Sequence, residues 1–292
     1  MTIAIFGNPY PEHFTKYIQH LIKKLESEHI KIIIEEGFNT FLQNNIRFSN
    51  NIETFNSDES LNNNVDFLFS IGGDGTLLKA VTFVKKSNIP IMGINTGRLG
   101  FISSISAGQI DDAINDIIKE NYNISERTLL ELNTEKNLFK DRNFALNEVA
   151  ISKKDTSSMV RIDAYVDNEF LNTYWADGLV VSTPTGSTGY SLSCGGPIIV
   201  PGTNNIIITP NAPHNLNVRP IVINDQSVIK LKVEDRDQLA LVSLDSRSRA
   251  FNSDTELIIK KADFKIKLVQ PQNNSFSSTI RNKLMWGLDK RS

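Results

Sequence analysis

The segment Gly72-Gly73-Asp74-Gly75-Thr76 follows the apolar run Val65–Ile71 and precedes a stretch patterned as a helix. Three glycines within four positions let the backbone come close to a ligand and adopt positive φ. Backbone N–H groups at the start of the following helix can face phosphate. Asp74 stands in the middle of this crest, where a carboxylate can take a proton from a hydroxyl nucleophile. The chemistry suggested is phosphoryl transfer centred on Asp74. Taken alone, the segment is also compatible with a tight turn and a helix-capping aspartate. Neither G-x-x-x-x-G-K-[ST] nor G-x-G-x-x-G occurs in the chain, so a nucleotide would be held in another way.

A second stretch, Asp177 to Ser191, carries an apolar strand, Leu179–Val181, that breaks into Ser-Thr-Pro-Thr-Gly-Ser-Thr-Gly and closes on Tyr190. Its short donors and acceptors, with one aromatic face, suit a purine ring and a ribose better than a long apolar ligand. The alternative is a Ser/Thr-rich surface loop. The Cys194-Gly195-Gly196-Pro197 that follows, with a further apolar strand, is unusual for one.

The elements that must position these stretches fall into two textures. In the first part, the runs Ile3–Phe6, Ile30–Ile34, Val65–Ile71 and Ile89–Ile94 alternate with helical patterns. Phe14, Tyr17, Ile18, Leu21, Ile22 and Leu25 form one apolar stripe, and Ile110, Ala113, Ile114, Ile117 and Ile118 another. Thr76–Lys86 also reads as a helix. Such alternation predicts parallel βαβ units in an open, doubly wound, Rossmann-like α/β domain over residues 1–125. Beyond it, Arg161–Phe170, Ser227–Glu234 and Asp263–Gln270 alternate with period two between turn residues, with a turn at Asp167-Asn168. This predicts a β-rich antiparallel domain over 126–271. The helix-like Ser278–Leu288 places 272–292 back on the first domain.

Composition narrows the classes. The chain has 292 residues, 40% hydrophobic and 22% charged, with a formal net charge of -2, which argues against a general nucleic-acid binder. Cys194 is the only cysteine, so an internal disulfide is excluded. His13, His20, His29 and His214 are scattered without metal-ligand spacing. Met1–Tyr10 lacks a signal-type pattern, and no apolar run approaches the roughly 18 residues of a membrane span. The expectation is a cytoplasmic protein with neither membrane nor nucleic-acid partners.

The pairing of Gly72–Thr76 with Asp177–Ser193 resembles the NAD kinases closely. Asn147-Glu148-Val149, Gly97-Arg98-Leu99-Gly100-Phe101, Pro213-His214, Arg219-Pro220 and Arg281-Asn282-Lys283-Leu284 with Trp286-Gly287 match as well, so the resemblance spans roughly Ile3 to Trp286. It implies transfer of the γ-phosphoryl of ATP, or of polyphosphate, to the 2′-hydroxyl of the adenosine ribose of NAD, giving NADP. It also implies a homodimer or homotetramer. Mg²⁺ would arrive bound to the ATP phosphates, with no protein ligands assigned.

By this resemblance Asp74 is the proton acceptor, and Gly72, Gly73, Gly75 and Thr76 form the phosphate turn. Asn147 and Glu148 are the dinucleotide-binding pair, for which a strand-end cap is an equally open reading. Asp177 accepts from the nicotinamide carboxamide. Thr188, Gly189, Tyr190 and Ser191 lie along the dinucleotide, and Ala212 faces it. Lys79 and Arg247 match variable positions that often contact ligand. Two positions depart from the family pattern. Trp175 stands where many members carry a basic residue near the product phosphate, leaving Arg161 or Lys79 to supply charge. Gly189 replaces a more usual alanine, which leaves that wall roomier. The alternatives are a diacylglycerol- or sphingosine-type lipid kinase, from the shared glycine-aspartate turn, and a non-catalytic NAD-binding regulator.

Overall fold

The structure, a computed structural model, describes residues 1–49, 51–61, 64–97, 100–103, 105–154, 159–234, 239–271 and 275–287. The chain divides into two compact units, Met1–Glu126 with Ile266–Ser292, and Arg127–Lys265. Arg98 and Leu99 of the Gly97–Phe101 motif lie outside the described residues.

The first unit is built from β1 (Thr2–Gly7), α1 (Thr15–Ser27), β2 (Lys31–Glu35), α2 (Glu36–Gln43), β3 (Glu53–Phe55), β4 (Phe67–Ile71), α3 (Asp74–Val84), β5 (Ile91–Ile94) and α4 (Ile110–Ile118). The strands pair in parallel in the order β3-β2-β1-β4-β5. Every residue of β4 and β5 is buried, as expected of strands covered on both faces by helices. The stripe read from the sequence is what α1 buries, through Ile18, Leu21, Ile22 and Leu25, against Ile3, Ile5 and Ile34 of the sheet. The chain builds outward from β1 to β2 and β3, then returns to the other side of β1 as β4. The carboxyl ends of β1 and β4 are therefore a topological switch point, where open α/β sheets bind ligands. Helix α3 starts at Asp74 rather than Thr76, because Gly73 serves as its extended N-cap.

The second unit is antiparallel. After β6 (Tyr122–Asn133) and β7 (Phe144–Ala145) come β8 (Glu148–Lys153), β9 (Val160–Val166), β10 (Glu169–Ala176), β11 (Gly178–Ser182), the short helix α5 (Tyr190–Ser193), β12 (Asn205–Asn211), β13 (Ile221–Asn224), β14 (Ile229–Glu234), β15 (Leu239–Leu244), β16 (Arg247–Asn252) and β17 (Leu257–Pro271). One sheet runs β13-β12-β11-β8-β15-β16. The other runs β10-β9-β14 and then the start of β17. Alternate residues such as Ile162 and Ala164, Leu231 and Val233, and Ala240 and Val242 face one shared core with Val149, Leu179 and Ile208. Asp167 and Asn168 form the turn of the β9–β10 hairpin, both at positive φ (52° and 69°), the backbone that a two-residue hairpin needs. The end of β17 belongs to the first unit, where Leu268 pairs in parallel with Ile91. It is followed by α6 (Phe276–Leu284), which opens on a Ser275/Ser278 capping box. The sequence-predicted fold class, an α/β domain with a β-rich antiparallel domain, is what the chain adopts. Among the described residues no helix is long and apolar enough to cross a membrane.

Candidate active site

The turn after β4 sits at the switch point. Gly72 has φ +149°, and a Cβ there would lie 2.2 Å from Thr76 Oγ1, so this position demands glycine. Thr76 is buried, and its hydroxyl accepts a hydrogen bond from Asn8 Nδ2 (2.9 Å), one residue past the end of β1. Gly73 and Gly75 are different: both are exposed, and among the described residues a Cβ on either would meet nothing within 4 Å. Packing among those residues gives no reason for glycine at these two positions. A ligand lying against the backbone would.

Asp74, at the first position of α3, does not point freely into solvent. Its Oδ2 accepts from Phe101 N (2.8 Å), and its Oδ1 accepts from Ser103 N (2.8 Å) and Ile102 N (3.2 Å). Charge-assisted bonds of this type contribute about 1.5–3 kcal/mol each, so the carboxylate is held firmly in one orientation. The loop is secured in turn: Ser103 Oγ donates to Gly72 O (3.1 Å), and Asn95 Nδ2 donates to Ser103 O (3.4 Å). A carboxylate has about four lone-pair sites. Three are occupied by N–H groups, leaving about one for a substrate hydroxyl. The positive end of the α3 dipole also favours negative charge here. The result is a half-buried, pre-oriented acceptor beside an open glycine crest.

In the second unit the Asn147–Glu148 corner joins β7 to β8. Both residues are buried, yet among the described residues Asn147 Oδ1 and Glu148 Oε2 have no hydrogen-bond partner. Buried polar atoms of this kind call for a partner, because leaving one bare costs about 1–3 kcal/mol. Burial raises the Glu148 carboxyl to about 8; the Asp245 charge adds to the rise, and the backbone N–H of Tyr190 opposes it. Gly189 stands beside the pair. A Cβ there would lie 3.1 Å from Glu148 Oε2 and 3.3 Å from Asn147 Nδ2, so the missing methyl leaves space at these two side chains.

The remaining residues of the second stretch divide into exposed and internal groups. The Tyr190 ring is exposed, and its hydroxyl accepts from Asn211 Nδ2 (2.9 Å). Ala212, next along the chain, is exposed at φ 46°, a strained conformation for alanine of the sort that collects at functional sites. Asp177 is half-exposed and pairs with Lys153 at 2.6 Å. Thr188 donates to Thr185 O (3.2 Å). Ser191 is fully buried, with its hydroxyl shared with Thr209 Oγ1 (2.9 Å). Arg247 donates to the carbonyls of Arg142 (2.6 Å) and Phe144 and lies 5.5 Å over the Phe144 ring, so its donors serve the chain itself. Lys79 is exposed on α3.

Trp175 is half-exposed and sits opposite Arg161 in the β9–β10 register. Arg161 is held by Glu234 (2.6 Å) and Asp163 (2.9 Å), which partly neutralise the charge it could offer a phosphate.

Sequence reasoning missed the groups that hold the chemistry in place: Asn8 beneath Thr76, the Phe101–Ser103 amides on Asp74, and Asp245. One signal was available. A Cβ on Gly100 would lie 1.8 Å from Asp74 Oδ1, so the glycine of the Gly97–Phe101 motif makes room for this carboxylate. Asp245 and Asn8 carried no motif.

Comparison with known proteins agrees with the geometry. Residues 3–122 match the ATP-NAD kinase N-terminal domain and residues 146–271 the ATP-NAD kinase C-terminal domain. The NAD kinase of Cytophaga hutchinsonii is 49% identical and that of Flavobacterium johnsoniae 48% identical, each over 100% of both chains. Among solved structures, an NAD kinase from Archaeoglobus fulgidus in complex with ATP superposes with a TM-score of 0.76 at 25% identity, covering 98% of this chain and 99% of its own. Yeast NADH kinase complexed with NADH shares the fold, with a TM-score of 0.87 at 23% identity over 98% of this chain and 88% of its own. These full-length relatives decide against the lipid-kinase and regulator alternatives. With both domains matched and half of its residues shared with a curated relative, the chain belongs to the NAD kinase family of enzymes that phosphorylate NAD.

Proposed function

We propose that Asp74 orients the 2′-hydroxyl of the adenosine ribose of NAD and takes its proton as that oxygen attacks the γ-phosphorus of ATP. The new O–P bond gives NADP, and the bond to the β-phosphate oxygen breaks to release ADP. The observation that carries this reading is the Asp74 carboxylate, fixed by three backbone N–H groups with about one acceptor site left over. A carboxylate is a weak base for an alcohol, so positioning is its larger contribution and the proton moves late. Phosphoryl transfer depends mainly on positioning and charge stabilisation, which suits this arrangement.

In this reading the open backbone at Gly73 and Gly75 lies against the substrate. Asn147 Oδ1 and Glu148 receive dinucleotide hydroxyls, Asp177 accepts from the nicotinamide carboxamide, and the Tyr190 ring and Ala212 line the ligand. Thr188, Gly189 and Ser191 shape that wall from behind, and Lys79 is available to phosphate.

The phosphoryl donor is ATP, carried as its Mg²⁺ complex. No protein ligands are assigned to the ion, which would be held by the phosphates and water. When bound, the ion would neutralise charge on the transferring phosphoryl group. The family resemblance further suggests a homodimer or homotetramer working in the cytoplasm, which light scattering and fractionation would test.

A coupled assay for NADP with NAD, ATP and Mg²⁺ tests the activity. Asp74→Asn keeps the shape of the side chain, and the rate is expected to fall about 10²–10⁴-fold, the range of a positioned acid–base group. A rate within about twofold of the parent would remove Asp74 from the mechanism.

A further inference from the structure

The Asn147–Glu148 corner is satisfied in its backbone and unsatisfied in its side chains. One residue accounts for much of the difference. Asp245 lies in the turn between β15 and β16, about a hundred positions further along the chain. Its carboxylate accepts from the N–H groups of three consecutive residues: Leu146 (3.0 Å), Asn147 (2.8 Å) and Glu148 (3.2 Å). Its own N–H donates to Glu148 O (3.0 Å). The other two carbonyls of the corner are taken by Thr183, through Oγ1 to Leu146 O (2.6 Å) and through N to Asn147 O (2.9 Å). Every backbone donor and acceptor from 146 to 148 is therefore committed, and four of the six bonds go to Asp245.

The Asp245 side chain is only 3% exposed, with the Arg247 guanidinium 3.9 Å away. Burying a carboxylate is costly, and strand pairing alone would not require one in a hairpin turn. A backbone locked on all sides, carrying two buried side-chain oxygens without partners among the described residues, is the arrangement of a pre-organised ligand corner.

We propose that Asp245 is a positioning residue of the dinucleotide site: it clamps the peptide from Leu146 to Glu148 so that the Asn147 and Glu148 side chains are already aimed at the ligand before it binds. The inference rests on the reading that this pair binds the dinucleotide. It also explains the protonation of the corner. The groups facing Glu148 are Asp245 from the β15–β16 turn, the Tyr190 N–H at the start of α5 and Cys194 just past its end, with Arg247 beyond Asp245. Burial pushes both carboxyls upward, but Asp245 is stabilised as an anion by three N–H groups and Arg247, and Glu148 by one N–H. The Asp245 charge is thus one of the causes, after burial, that raise the Glu148 carboxyl to about 8.

The test is steady-state kinetics of the full-length enzyme with NAD, ATP and Mg²⁺ from about pH 6 to about pH 9. Asp245 has φ 51°, which asparagine tolerates best among residues with a side chain, so Asp245→Asn preserves the turn. The expected result is a rise of about tenfold or more in KM for NAD, with kcat and KM for ATP within about threefold. The alkaline limb of kcat/KM for NAD should also move to lower pH, because a negative charge beside Glu148 is gone. Asp245→Glu, which displaces the carboxylate but keeps its charge, is expected to raise KM for NAD without moving the limb, and it carries the test if Asp245→Asn does not fold. Asn147→Ala monitors the underlying reading. If Asn147→Ala raises KM for NAD while both Asp245 variants leave it within twofold and the limb in place, the positioning role is overturned. If Asn147→Ala itself leaves KM unchanged, the pair does not bind the dinucleotide and the inference falls with that reading.

Discussion

Gly100→Ala is the most searching test of how Asp74 is held. Gly100 is buried, and an alanine Cβ would lie 1.8 Å from Asp74 Oδ1 and 2.9 Å from Oδ2. Ordinary contact begins near 3.4 Å, so the carboxylate or the Gly100–Ser103 loop must give by about 1.6 Å. The three nearest atoms to the added methyl among the described residues all belong to Asp74. A displacement of about 1 Å in a reacting group costs on the order of 10²-fold in rate, or nearly 3 kcal/mol of barrier. The expected outcome is a kcat about 10²-fold below the parent, with KM for NAD changed by only a few fold, because the dinucleotide-binding corner is untouched. The assay is the coupled NADP measurement at saturating ATP, with circular dichroism and a melting curve on the same preparation. A folded Gly100→Ala enzyme with kcat within about twofold of the parent would show that the orientation imposed by the loop is irrelevant to the reaction.

The other predictions probe the two sites separately. Gly75→Ala meets nothing within 4 Å among the described residues, so the melting temperature should hold or rise slightly while kcat/KM falls about tenfold or more; equal activity would leave the open glycine crest without a ligand. Asn8→Ala removes the donor to buried Thr76 and should cost about 1 kcal/mol in denaturant unfolding, with a severalfold loss of kcat/KM, since the turn loses its tie to β1. Glu148 has a folded-state pKa raised from 4.5 to about 8, so the native state holds this proton where the unfolded chain has lost it. Its contribution is fully present below pH 4.5 and is lost as pH rises toward about 8. Glu148→Gln, which cannot lose a proton, should flatten the decline in stability over that window, as read from urea midpoints across pH. An unchanged slope would show that Glu148 titrates normally.

Much of the architecture could be read from local pattern because burial imposes it locally. The α1 stripe and the uninterrupted apolar run of β4 report which faces are covered, and the alternation in β9, β14 and the end of β17 reports a half-covered strand. Helix α2 was not legible: it is eight residues long, includes Gly37 and Asn39, and is capped by Glu35 from the end of the preceding strand. Short helices draw their stability from packing rather than from propensity, so they leave a weak trace in sequence.

The sequence by itself determined the two glycine- and hydroxyl-rich motifs, the residue types able to do the chemistry, and through them the family. Those properties reside in the order of neighbouring residues. Tertiary structure alone decided what orients them. The amides that hold Asp74 come from 27 to 29 residues away, and the carboxylate that holds the Asn147–Glu148 corner from 97 to 99 residues away. Backbone N–H groups are common to nearly every residue, so no side-chain pattern marks which of them will converge on a carboxylate. Only the folded chain brings those donors together. It also shows that Ser191 and Arg247, read from sequence as ligand contacts, have polar groups engaged within the protein, while Asn147 and Glu148 retain buried polar atoms without a partner among the described residues.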